Sequence, residues 1–198
     1  MAKGLREQVL RSAVTYIAKN GPDGLSFRQV AADAGVSHQA PYHHFGDRKA
    51  IFQAIALEGF MLLAESLGSV DTRGPEPSVT LCERYVEFAI SHKGHFRVMF
   101  RTDLCAMEES PDLQRAGDAA FQALLDEVTQ MVGDGASVED VRIQATTMWS
   151  VAHGLATLLI DGPLENKIGR VDDRTELVRA VARRMGDGLL QLRRDSST

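Results

Sequence analysis

The sequence predicts an all-α chain: an N-terminal three-helix unit of helix-turn-helix type, followed by a larger helical body. Three observations predict it. Apolar residues recur at helical spacing along most of the chain. Glycine and proline interrupt that pattern where helices should end. No stretch alternates convincingly with the period of a strand.

The first helix is expected over residues 4–20, where Leu5, Val9, Ala13 and Ile17 form a stripe with Leu10 and Val14 beside it. Gly21-Pro22 and Gly24 end it. Ser26 is a natural N-cap for the second, and Gln29 completes a capping box with Leu25 and Val30 placed as a hydrophobic staple. Gly35 suits the left-handed residue that closes this helix. Ser37 is placed to cap a third, very short helix that must stop by Gly46. With that cap, Pro41 falls at the fourth helical position and removes one early hydrogen bond; the alternative is a later start. Asp47 caps a long helix to about residue 69, which connects the N-terminal unit to the rest. After the connector "DTRGPEPS", helices are expected at 78–92, 94–101, 111–133, 137–161 and 174–193. Helix 111–133 carries Leu113, Ala116, Ala120, Leu124, Val128 and Met131 on one face, and helix 174–193 carries Leu177, Val181, Met185, Leu189 and Leu192. The domain boundary is set at residue 50, giving units 1–50 and 51–198.

Composition narrows the class. The 198 residues are 44% hydrophobic and 25% charged, as in ordinary soluble globular proteins. Charge interrupts "MAKGLREQVL" where a signal peptide needs a continuous apolar run. The longest uncharged stretch, Ile143 to Ile160, contains Gln144, Ser150, His153 and several threonines, which suits a buried helix better than a membrane span. Cys82 and Cys105 match no metal or disulfide pattern and suit a reducing cytoplasm. The net charge is −5, yet residues 1–50 hold seven Lys/Arg against four Asp/Glu, leaving 15 against 23 elsewhere. A basic head on an acidic body fits a polyanionic partner for the head.

The segment "LSFRQVAADAGVSHQAPYHHFGDRKAIFQAI", Leu25 to Ile55, resembles the DNA-binding domain of the TetR family of transcriptional regulators through "AxxAGVS", "YHHF" and a polar link into a basic helix start. "MWSVAHG", Met148 to Gly154, is similar to the Trp-His-Gly signature of one branch of that family, and "GHFRVMF" to another segment of the same branch. The resemblance implies an all-α homodimer, one DNA-binding head per subunit, and a C-terminal ligand-binding and dimerisation domain. Ligand binding would change the separation of the heads and release DNA.

The residues support a matching physical reading. His38, Gln39 and Ala40 occupy the leading turn of a helix that can enter a major groove; Gln39 can pair with adenine and Ala40 can touch a thymine methyl. The resemblance implies phosphate contacts for Tyr42, His43 and His44. Ser26 and Arg28 open the preceding helix, whose free N–H groups favour an anion, and Ser37, Arg48 and Lys49 complete the DNA-binding set. Pro41 stands where the family most often has leucine. The histidines act as hydrogen-bond donors in this reading, not as metal ligands: adjacent His43 and His44 point to different faces of their helix. "HKGH", His92 to His95, lacks further ligands for zinc and reads as structural.

Phe96, Met99, Phe100 and Phe121 suit either core or an apolar ligand cavity. Trp149 and His153 share a helix face, as a core pair or as ligand contacts, and Gly154 suggests close approach by another helix. An uncharged or aromatic small molecule is the expected ligand. Helices 137–161 and 174–193 would pair with their symmetry mates, presenting two recognition helices to a pseudo-palindromic double-stranded site. The chain therefore reads as a ligand-responsive repressor without cofactor, metal, catalytic residues or membrane. The alternatives are a ligand-independent DNA-binding or adaptor protein, and a helical enzyme using C-terminal histidines.

Overall fold

A computed structural model of the chain describes residues 2–71, 73–133, 135–162 and 164–195. In chain order the helices are α1 (Ala2–Asn20), α2 (Phe27–Ala34), α3 (Ala40–Phe45), α4 (Arg48–Gly68), α5 (Pro77–Ser91), α6 (Lys93–Met99), α7 (Thr102–Cys105), α8 (Pro111–Val132), α9 (Val138–Asp161), α10 (Glu165–Ile168) and α11 (Arg174–Asp195), with a 3-10 turn at Met107–Glu109. No strand occurs among the described residues. Packing divides the chain into two units: Met1–Leu62 with His92–Ala119, and Leu63–Ser91 with Ala120–Thr198. Residues 92–119 thus pack with the N-terminal helices, whereas the sequence reading cuts the chain once, after residue 50.

In the first unit, α1, α2 and α3 pack on one another. Val9, Ala13 and Ile17 of α1, Val30 and Ala31 of α2, and Ile51 and Ile55 of α4 are fully buried. Each such aliphatic side chain larger than alanine contributes about 1.5–3 kcal/mol through burial. Ser26 accepts the Gln29 backbone N–H at 3.2 Å, forming one half of the expected capping box. The other half is missing, because the Gln29 side chain donates to Asp33 at 2.7 Å instead. At the far end Gly35 adopts φ 66°, and the N–H groups of Gly35 and Val36 return to Ala32 and Ala31. This is the Schellman closure that permits the tight turn.

The start of α3 differs from the expected one. Ser37 does not cap the helix: Gln39 occupies the cap position, Ala40 is the first helical residue and Pro41 the second. The physical reason is the missing proline N–H. In the first turn that N–H has no intrahelical partner, so Pro41 costs no hydrogen bond there. Ser37, His38 and Gln39 form the turn leading into α3, with Ala40 N–H donating to Ser37 O at 3.0 Å.

Helix α6 lies directly on α1. A Cβ on Gly94 would stand 2.3 Å from the Val14 carbonyl oxygen, so this approach requires glycine. Arg97 donates to the Ile17 and Ala18 carbonyls at 3.2 and 3.1 Å, satisfying acceptors near the end of α1.

In the second unit α5 packs against α9 and α11, burying Val79, Leu81, Cys82, Tyr85, Val86, Phe88 and Ala89. Ser137 and Asp140 form a complete capping box at the start of α9. Burial raises the Cys82 thiol to about 11 and, in the first unit, the Cys105 thiol to about 12, so both stay protonated and act as apolar packing groups. Within one chain α9 is covered on one side only, which leaves room for the symmetry mate expected there. Ala145, Met148, Ala152, Leu155, Ala156 and Ile160 are buried, but Ile143, Ser150 and Leu158 are exposed and Thr147, Val151 and Gly154 are half-buried. Those six residues recur at helical spacing and leave one uncharged side of α9 open. On α11, Val178 and Ala182 are buried while Leu177, Val181 and Met185 are half-exposed; the Leu189 and Leu192 side chains lie outside the described residues. Arg179–Glu83 ties α11 to α5, and Arg183–Glu76 ties it to the residue just before α5.

By length and composition α4 is the one described helix apolar enough to cross a membrane. Its apolar residues Ile51, Phe52, Ile55, Ala56, Phe60, Leu63 and Leu67 are buried at helical spacing, as in a core helix.

Candidate nucleic-acid interface

The proposed reading surface is built from the turn before α3 and the outward side of α3. Ser37, His38, Gln39, Tyr42 and His43 are exposed and His44 is half-buried. Tyr42, 60% exposed, sets its ring edge-on against Phe27 with centroids 4.8 Å apart, which anchors the phenol on α2. The His43 and His44 rings stand 5.3 Å apart and nearly perpendicular. Ala40 is the exception. It is 7% exposed, packed inward with Pro41 and Phe45, so the expected thymine-methyl contact is corrected: the later start of α3 turns Ala40 to the core. Ser26 and Arg28 are exposed at the start of α2, as the sequence reading requires.

The two cations at the start of α4 have partners invisible in the sequence. Arg48 donates to the carbonyls of Pro22 and Asp23 at 2.9 and 2.7 Å, and its guanidinium lies 5.3 Å from the Phe52 ring centroid. These groups fix Arg48 without cancelling its charge. Lys49 is ion-paired with Glu109, which also holds the lysine pKa above its ordinary value. Both partners are substantially exposed, so the pair contributes little stability. It does offset the one positive charge that Lys49 would offer a phosphate.

The candidate ligand residues fall three in each unit. In the first, Phe96 and Met99 are buried, and Phe100 meets Phe60 and Phe96 with centroids 5.4 and 5.8 Å away. In the second, Phe121 stands 5.8 Å from Trp149. Trp149 donates its indole N–H to the Tyr85 hydroxyl at 3.1 Å, and that hydroxyl lies 3.0 Å from His153 Nδ1. The indole N–H donates to the Tyr85 oxygen, and the direction of the Tyr85–His153 bond is set by the His153 tautomer. Burial lowers the His153 pKa and raises that of Tyr85, favouring the neutral forms of both. Tyr85 is missing from the sequence reading because no spacing connects it to residues 64 and 68 positions away. Gly154 has nothing within 4 Å of a built Cβ, so the close approach inferred from it is not made within the described chain. No group of three or more potential ligands able to hold a metal occurs among the described residues.

A three-helix head with its second and third helices joined by a glycine turn, and a polar row exposed on the third, defines the class of helix-turn-helix DNA-binding proteins. Residues 9–55 match the family of bacterial regulatory proteins of tetR type, and residues 79–185 match the tetracyclin repressor-like C-terminal domain. The chain belongs to the TetR family of transcriptional regulators.

Several proteins are similar to this chain over all or part of its length. The uncharacterised helix-turn-helix regulator YobS of Bacillus subtilis is 23% identical over 196 residues, covering 94% of each chain. The transcriptional repressor AcnR of Corynebacterium efficiens is 34% identical over 62 residues, 31% of this chain and 33% of AcnR. The match to AcnR therefore spans about a third of that relative's length. A solved Rhodococcus sp. RHA1 protein of unknown function aligns with TM-score 0.72 and 30% identity over 93% of this chain and 94% of its own. The fatty acid degradation regulator FadR of Bacillus halodurans aligns with TM-score 0.68 and 16% identity over 91% and 93%, a likeness of fold.

Proposed function

We propose that the chain is a cytoplasmic, homodimeric repressor that binds a pseudo-palindromic operator and leaves it when a small uncharged or aromatic ligand binds. The observation that carries this reading is the exposed row Ser37, His38, Gln39, Tyr42 and His43 on a helix-turn-helix whose opposite side is sealed. Gln39 reads a base edge; His38 reads a base or a phosphate. Ser26, Arg28, Ser37, Tyr42, His43, His44 and Arg48 hold phosphates, and Lys49 joins them when Glu109 releases it. The resemblance to AcnR over 62 residues supports repression as the sign of regulation.

Dimerisation through α9 and α11 is supported by the uncharged open side of α9 and the half-exposed Leu177, Val181 and Met185 of α11. A C2 pair of such surfaces spaces two heads for two half-sites. Ligand binding selects a state whose heads no longer fit the operator. Phe96, Met99, Phe100, Phe121, Trp149 and His153 are the residues assigned to ligand contact, without a catalytic role for His95 or His153.

Selection of bound fragments from genomic DNA tests the reading. A pseudo-palindromic consensus is expected, with sites in regulatory regions; recovery of DNA without any preference contradicts it. Trp149 is the single tryptophan. A compound that releases the operator is expected to change its fluorescence.

A further inference from the structure

We propose that His95 is a proton-operated latch that holds α6 against α4 while neutral and loosens that contact when protonated. His95 is 7% exposed, and neither ring nitrogen has a hydrogen-bond partner. A neutral imidazole carries one N–H and an imidazolium two, so burial without a partner penalises both forms and the charged form more.

The groups around it are few. From α4, Glu58 places a carboxylate oxygen 3.7 Å from His95 Nε2. His92, immediately before α6, has its ring centroid 6.0 Å from that of His95. From α1, the Val14 side chain and carbonyl face Gly94, next to His95, while Arg97 reaches the carbonyls of Ile17 and Ala18. Burial is the largest influence on the ring and opposes its proton; Glu58 favours the proton and His92 opposes it. The net direction is downward, so this packing favours neutral His95.

There is little slack at this contact. A Cβ on Gly59 would lie 2.6 Å from Met99 Sδ and 3.0 Å from His95 Cβ. Hydrating the ring therefore requires α4 and α6 to separate. Helix α4 follows α3 after Gly46 and Asp47 alone, and α6 sits on α1 through Gly94 and Arg97. The latch thus joins the elements that carry the DNA-facing surface.

The sign follows from linkage. A histidine whose folded pKa lies below its unfolded value stabilises the fold above about pH 6.5, and that contribution is lost as pH falls through the folded pKa. Full linkage to one proton changes the opening equilibrium by up to about tenfold per pH unit.

Amide hydrogen exchange of the full chain, corrected for intrinsic exchange, tests the latch between about pH 7.5 and about pH 5.5. Protection across α4 and α6 is expected to fall with acid in the wild type and to stay level in His95→Gln. His95→Leu is the second variant if glutamine is not accommodated. Glu58→Gln removes the group that favours the proton in the closed packing, so the closed-state pKa drops further below that of the open state and the total loss of protection on acidification should grow. Parallel profiles for the wild type and both His95 variants, or a smaller loss of protection in Glu58→Gln than in the wild type, overturn the proposal.

The functional arm rests on the reading that the ligand-free chain binds operator DNA. Wild-type affinity relative to His95→Gln should then fall at least about threefold across the same window. The α3 histidines are common to both proteins, so their own pH response cancels in this ratio. A constant ratio overturns the latch. Absence of operator binding by both proteins overturns the DNA reading instead, and the exchange profiles still decide the latch.

Discussion

Gln39 and Lys49 are separated by ten residues and carry opposite expectations. Gln39 is exposed in the turn that enters α3. Gln39→Ala should remove about 1–3 kcal/mol of discrimination at one base pair and leave random-DNA affinity nearly unchanged, as binding to operator and scrambled duplexes would measure. Equal losses on both duplexes contradict base reading. Lys49 is engaged by Glu109. Glu109→Gln should tighten binding to all sequences and steepen the log–log salt dependence by up to about 0.9 per phosphate gained. An unchanged slope would show that Lys49 never reaches DNA. The identities of these residues were legible in the sequence, but their partners were not. Arg48 meets carbonyls 25 and 26 positions away, and Lys49 meets an acid 60 positions away. Ala40 was misplaced because a two-residue shift in the start of α3, about half a turn, is enough to rotate an alanine from groove to core.

Helices were more legible than their ends. The stripes of α1 and α8, the Ser26 cap and the Gly35 closure all follow from local rules that tertiary packing leaves intact. The start of α3, the short α10 and the open side of α9 depend on competing caps or on neighbours, which periodicity does not encode. Gly94 was passed over for a related reason: only the α1–α6 approach explains it. Gly94→Ala forces a methyl against the Val14 carbonyl. It should cost about 1–3 kcal/mol or more of unfolding free energy, measured by denaturant titration, and should loosen the α1–α6 contact. A stability within about 0.5 kcal/mol of wild type would mean that α6 moves aside cheaply.

For the whole molecule, the uncharged side of α9 is the feature that a monomer leaves unexplained. Leu158 is 40% exposed on that side. Leu158→Glu places like charges near the two-fold axis of the proposed dimer. The variant should sediment as a folded monomer and lose high-affinity binding to two-half-site operators, while keeping weak binding to a single half-site. A dimer that persists would move the interface elsewhere. Family membership explains why head and body coexist in one chain, but the ligand is set by individual side chains that vary on a shared fold.

The most direct test of the central claim is the affinity of the purified chain for a selected operator and for scrambled DNA across a salt series. The account predicts tight binding by two subunits, preference of about a thousandfold or more for the operator, and a linear fall of log affinity with log salt on both duplexes. Equal, weak and salt-insensitive binding to the two would contradict it.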